Sequence, residues 1–116
     1  MGAFHKVAGA RGTDAFADEG LFRCALAVDT AKGVARWRLE AGPFTLKRWE
    51  ARLPDLRKIV ATRRQAPGGA EVQKLVLETK ARGRLPVTMH GDRMTARELS
   101  RLLGCPLEEQ DVYFSA

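Results

Sequence analysis

Apolar residues recur at every second position over 21–30, where Phe22, Cys24, Leu26 and Val28 share one face, the period of a half-buried strand. After Asp29-Thr30-Ala31-Lys32-Gly33, a turn with glycine where a positive φ is wanted, the alternation resumes over 34–40. There Ala35, Trp37 and Leu39 face one way and Arg36, Arg38 and Glu40 the other. The pattern then changes. Gly42-Pro43 breaks the strand, Thr45 offers a helix N-cap, and Leu46, Trp49, Leu53, Leu56 and Val60 follow spacings of three and four. That stripe predicts an amphipathic helix over 45–64, kinked or restarted at Pro54.

Ala66-Pro67-Gly68-Gly69 predicts a loop, and two more strands follow over 72–80 and 85–90, joined by Ala81-Arg82-Gly83. Thr95 with Glu98 three residues on forms a capping box, Leu99, Leu102 and Leu103 supply an apolar helical face, and Gly104 stands at the expected end. Residues 1–20 carry four glycines and few large apolar side chains, so they are expected to form a loosely ordered arm. Residues 105–116 form an acidic tail whose Val112, Tyr113 and Phe114 could dock as a last strand or against a partner.

Laying 27–53 over 76–103 aligns Thr30 with Thr79, Gly33 with Gly83, Thr45 with Thr95 and Leu53 with Leu103. Each copy reads strand, glycine turn, strand, threonine cap, helix, a possible internal repeat. The expected fold is therefore one α+β domain over 21–104. In it an antiparallel sheet is built from two β-hairpins, each followed by a helix (ββα–ββα), with both helices on one face.

Composition narrows the class. The 116 residues suit one domain, 45% of them are hydrophobic, and no run is long and apolar enough to span a membrane as a helix. With no signal-like apolar segment at the start and only Cys24 and Cys105 for cysteines, a cytoplasmic location is expected and no disulfide framework. The net charge is +6, and its distribution is uneven: residues 45–66 carry +5, residues 95–116 carry −2. Fourteen of the twenty basic residues are arginines, whose guanidinium groups pair bidentately with phosphate and stack on bases. Seventeen alanines and eleven glycines beside them are equally what a GC-rich genome produces.

Candidate chemistry is sparse. His5 and His90 have no ligand at metal-binding spacing, no nucleophile motif or nucleotide-binding glycine fingerprint occurs, and Glu108, Glu109 and Asp111 read as a solvated acidic tail. No enzyme, metal or cofactor is expected. Residues 95–109 have the cadence of a helix-turn-helix, but the segment that would enter the groove is acidic and would repel phosphate. The basic stretch is the better candidate. Lys47, Arg48, Arg52, Arg57, Lys58, Arg63 and Arg64 on a helix, extended by Arg36 and Arg38 on a strand, predict phosphate contacts in a small DNA- or RNA-binding protein. The competing expectation is an interaction module, adaptor, inhibitor or assembly factor, whose basic face meets an acidic protein. In either case a homodimer is possible through Val112, Tyr113 and Phe114, and no membrane partner is expected.

Overall fold

Turn glycines and alternating apolar residues cut the chain into short extended segments. The computed structural model describes residues 4–18, 20–65, 71–91 and 93–112. Among them lie β1 (His5–Val7), β2 (Asp14–Ala17), β3 (Phe22–Asp29), β4 (Val34–Ala41) and β5 (Phe44–Arg52), then a 3-10 turn over Leu53–Asp55. These are followed by β6 (Leu56–Gln65), β7 (Glu71–Thr79), β8 (Arg84–Gly91), the helix α1 (Arg93–Leu103) and β9 (Leu107–Val112). The first five strands form an antiparallel meander in the order β1-β2-β3-β4-β5. The second sheet has the order β8-β7-β6-β9, with β6, β7 and β8 antiparallel. The chain then crosses through α1 and returns to lay β9 parallel to the free side of β6.

The described residues form nine strands in two sheets and one α-helix, so the expected ββα–ββα arrangement, with two helices on one face of one sheet, is not formed. The fold is mostly β, and α+β describes it poorly. The error lies in 45–64, where β5, a 3-10 turn and β6 replace the predicted helix. Three features explain it. Leu46, counted as part of the apolar stripe, is 53% exposed. The inward positions of these strands are filled partly by Ala51 and Ala61, too small to register as an alternating pattern. Pro54, which lacks an N–H and cannot continue a helix interior, sits instead in the 3-10 turn that sends the chain from one sheet to the other.

The hairpin expectations hold better. Gly33 at φ 68° and Gly83 at φ 72° turn the β3–β4 and β7–β8 hairpins in the left-handed region that favours glycine. Asp29 Oδ1 accepts from Lys32 N–H across the first turn, and Thr79 Oγ1 accepts from Arg82 N–H while donating to the Gly83 carbonyl across the second. In α1 Ala96, Leu99 and Leu103 are buried and Gly104, at φ 67°, ends the helix. Thr95 lies inside the first turn rather than capping it, so the helix begins three residues earlier than its capping box implies. The repeat is thus matched in order of elements only by its second copy. Residues 1–20 contribute β1 and β2; residues 66–69 of the predicted loop lie outside the described residues.

One apolar cluster joins everything. Leu26, Val28, Trp37 and Trp49 from the first sheet meet Ile59, Leu75, Leu77 and Val87 from the second, with Leu99 and Leu103 of α1 closing one side. Phe4 and Phe16 stack at 5.9 Å, and Lys6 of β1 forms ion pairs with Asp14 of β2 and Glu98 of α1. At the seam between the sheets Trp37 and Trp49 stack at 6.0 Å and 16°, and each indole N–H donates at 2.8 Å, Trp37 to the Val87 carbonyl and Trp49 to that of Pro86. No helix among the described residues is long and apolar enough to cross a membrane.

Replacing Trp37 with Phe keeps most of the apolar area but leaves the Val87 carbonyl, in a buried seam, without its donor. The unfolding free energy is expected to fall by about 1–3 kcal/mol in urea denaturation. A loss of only a few tenths of a kcal/mol would mean that the seam does not depend on this bond.

Candidate anion-binding face

Alternation in the first sheet sorts side chains by face. Because Leu26, Trp37 and Trp49 point into the core, their neighbours Ala25, Ala27, Arg36, Arg38, Arg48 and Glu50 point outward. The cross-strand register then arranges them in rows: Ala15–Ala27–Arg36–Glu50 and Ala17–Ala25–Arg38–Arg48. Side-chain height drops sharply along each row, from arginine or glutamate on β4 and β5 to methyl groups on β2 and β3. The step creates a hollow of about 600 Å³ on the outside of the sheet, floored by the four alanines. Arg36, Arg38, Arg48 and Glu50 wall it on one side, Val7 and Ala8 lie on the other, and Arg23 and Arg82 complete the lining.

Its electrostatics are lopsided. Arg36 Nε pairs with Glu50 Oε2 at 3.1 Å and Arg38 Nε with Glu40 Oε1 at 3.0 Å. Arg48 stands directly opposite Arg38 in the β4–β5 register, and neither Arg48 nor Arg23 makes an ion pair among the described residues. Like charges at directly opposed positions destabilise a sheet, so an anion seated between them relieves a cost that the unliganded fold carries. Arg82 arrives from the β7–β8 turn and donates to the Glu50 carbonyl, which holds its guanidinium at the edge of the hollow.

The residues singled out by the sequence therefore separate. Arg36, Arg38 and Arg48 meet in the hollow. Arg52 shares their face of β5 two positions beyond Glu50 but does not line it. Lys47, two positions from the inward Trp49 and opposite Leu39, points to the other side of the sheet. Arg57 and Lys58 lie on β6 in the second sheet, within a network that spans its strands. Glu78 meets Arg57 at 3.7 Å, Lys58 at 3.9 Å and Arg84 at 3.8 Å, and Lys58 Nζ reaches Glu108 Oε2 at 2.8 Å. The Lys58 ammonium holds the Glu108 carboxyl below its usual range, by hydrogen bond and by charge. Those two cations are locally neutralised and belong to the fold rather than to a free basic patch.

Arg63 lies further along β6, away from the hollow. The side chains of Arg64 and Val112, together with Tyr113 and Phe114, lie outside the described residues. A single basic helix face over 45–64 does not exist, since that segment is two strands in two sheets. Two members of the hollow escaped the sequence reading. Arg23 stood outside the basic run, and Arg82 is brought in only by the packing of one sheet's turn on the other sheet's edge.

Among the described residues no group of three or more His, Cys, Asp or Glu gathers to hold a metal ion. Cys24 is not an activated nucleophile. Burial, reinforced by the charge and hydrogen bond of the neighbouring Asp18 carboxylate, pushes its thiol up to about 12.

Two outcomes follow from these charges. Replacing Arg48 with Gln removes the opposed pair and is expected to raise stability by a few tenths of a kcal/mol at low salt, with the gain fading as salt screens the surface. Unchanged or lowered stability would show that Arg38 and Arg48 do not repel. For Cys24, the fold favours the protonated form. Its contribution is whole below the ordinary thiol value of 9.0 and is lost as pH rises toward about 12. Denaturation midpoints measured from pH 8 upward should fall less steeply for Cys24→Ala than for the parent chain.

No protein-family model matches this chain, and no curated protein or solved structure is significantly similar to it, so its functional reading rests on this geometry alone.

Proposed function

We propose that the protein is a non-enzymatic nucleic-acid-binding protein that lays a single strand across the outer face of its five-stranded sheet. The observation that carries this reading is the gathering of five arginines, Arg23, Arg36, Arg38, Arg48 and Arg82, around one open hollow, with Arg48 facing Arg38 and making no ion pair among the described residues. Guanidinium groups pair with backbone phosphates through two parallel N–H donors and offer flat faces on which bases stack. The alanine floor lets a chain of nucleotides approach the sheet closely.

A single strand fits better than a duplex. Duplex readers insert a helix or ribbon into a groove, whereas this face is recessed and presents nothing to insert. The aromatic residues of β4 and β5 that could stack on bases, Trp37 and Trp49, are turned into the core and held there by their hydrogen bonds. Arginine would therefore do the stacking as well as the charge pairing, and little sequence preference is expected.

The test is fluorescence anisotropy with a labelled single-stranded oligonucleotide over a series of salt concentrations. Each phosphate contact contributes about 0.7 to the slope of log affinity against log salt for a single strand. Arg38→Ala with Arg48→Ala should flatten that slope by roughly twice this amount and weaken binding at every salt concentration. Arg97→Ala with Arg101→Ala, on the exposed side of α1, should leave both unchanged. Failure to bind at low salt, or indifference of the slope to the Arg38 and Arg48 substitutions, would overturn the reading.

A further inference from the structure

Four strands stand at the edges of the two sheets, and β5, at nine residues, is the longest of them, with positions 44–48 all exposed. One bond fixes which of its backbone groups face the open side. Leu53 N–H donates to the Gly33 carbonyl at 2.8 Å, so Gly33 and Leu53 form a hydrogen-bonded pair at the end of the β4–β5 ladder. Hydrogen-bonded and non-hydrogen-bonded pairs alternate in an antiparallel ladder. Trp37–Trp49 therefore belongs to the first kind, and Arg36–Glu50 and Arg38–Arg48 to the second. The N–H and C=O groups of Arg48 and Glu50 point away from β4. Arg82 supports the same parity independently, since it reaches the Glu50 carbonyl from the turn of the other sheet. Among the described residues, the N–H and C=O of Arg48 and the N–H of Glu50 have no partner.

Side chains along this edge are cationic. Lys47 faces inward and Arg48 outward, and neither makes an ion pair among the described residues, while the Glu50 carboxylate is taken by Arg36. Phe44 and Leu46, 69% and 53% exposed, add apolar surface at the start of the strand. Such an edge is poorly matched to itself. Paired antiparallel with its own copy about Lys47 or Arg48, β5 would set that cation against its equivalent. A register opposing Arg48 to the copy's Glu50 runs past the Glu50 carbonyl that Arg82 already holds. The same cations attract a strand of opposite charge.

We propose that the free edge of β5 takes up an extended acidic segment of a partner protein as a sixth strand of the first sheet. The segment's backbone continues the ladder at Arg48 and at the Glu50 N–H. Its carboxylates lie beside Lys47 on one face and Arg48 on the other, and an apolar side chain covers Phe44 or Leu46. Strand addition of this kind draws affinity from main-chain hydrogen bonds and specificity from alternate side chains. Arg82 closes the edge at the Glu50 carbonyl, so the added strand covers the stretch between there and Phe44. The interface goes beyond nucleic-acid binding and does not rest on it, because it is built on the strand edge and on Lys47, which lies on the face opposite the hollow.

A labelled synthetic peptide repeating Val-Glu-Asp-Thr, which places carboxylates on both faces of a strand, serves as the probe in fluorescence anisotropy. It should bind saturably at low salt, and a peptide with lysine for each acid should not. Lys47→Glu should weaken binding about tenfold or more. Arg48→Gln removes a charge and keeps the ladder. Arg48→Pro also removes the outward N–H, without taking a bond from β4, and should cost about a further tenfold. Should that variant not fold, amide exchange in the parent chain reads the same point: the Arg48 and Glu50 N–H groups should slow on peptide addition. Arg38→Ala, on a strand with no free edge, should leave peptide affinity within about twofold while flattening the salt slope of oligonucleotide binding, so the two readings fail separately. The proposal is overturned if the acidic peptide does not bind, if the lysine peptide binds equally, or if Arg48→Pro behaves as Arg48→Gln. It is likewise overturned if the two amides are unslowed at saturation, or if the chain self-associates through β5 in place of binding the peptide.

Discussion

Two indole N–H groups hold the architecture in register. In a regular strand successive carbonyls point to opposite sides, yet those of Pro86 and Val87 both receive tryptophan donors from the facing sheet. A bulge makes this possible: β8 pairs Thr88 with Leu75 and Pro86 with Val76, leaving Val87 as the extra residue. Proline costs nothing at such a position, since β8 is an edge strand and the missing N–H has no ladder partner to lose. Where a closed barrel would continue its backbone ladder, this fold closes the seam with side-chain donors. Once Trp37 and Trp49 are fixed inward, the parity of β4 and β5 is fixed too. Arg36, Arg38, Arg48 and Glu50 have no other face to occupy. The arginine hollow is thus a consequence of the tryptophan seam, and neither β4 nor β5 can slide without breaking its own indole bond.

Much of this was legible where large residues alternate with polar ones. The β3–β4 and β7–β8 hairpins, the outward set of Arg36 and Arg38, and the Gly104 stop of α1 all follow from local pattern. Segment 45–64 was not legible, because large apolar side chains happen to recur at helical spacing while the true inward positions include Ala51 and Ala61. Val60 adds to the confusion. It lies on the outer face of the second sheet, beside Val76 and Glu108 in register, and is nevertheless 1% exposed. The long side chains of the Lys58–Glu78–Glu108 network share that face, so a residue can be buried there without belonging to the core between the sheets.

The charge excess of the sequence met a similar fate. A run of seven cations over 45–66 looked like one surface, but the turn at Pro54 divides it between two sheets. The carboxylates that neutralise Arg57 and Lys58 come from Glu78 and Glu108, twenty to fifty residues away in the chain and adjacent only through strand pairing. Arg82, which completes the hollow, comes from a hairpin turn of the other sheet. Local sequence contains the cations; only the register contains their partners.

The two faces of the first sheet are separated by one inserted residue. In an unbroken β5, Phe44 and Lys47 would point to opposite sides, because their separation is odd. Lys47 keeps the register of Trp49, opposite Leu39, and the bulge at Leu39/Glu40 shifts Phe44 to pair with Ala41, which brings both to the inner face. It is therefore the bulge that sets the exposed ring of Phe44 on the same face as Lys47, while Arg48 remains on the outside with Arg38. Leu46, the residue between the two registers, is left half exposed as the cost of that arrangement. A strand optimised only for stability would have neither the bulge nor the exposed leucine nor the opposed arginines. Their coincidence within five residues of β5 concentrates the local costs of the first sheet in the strand that carries Arg48 toward the arginine hollow.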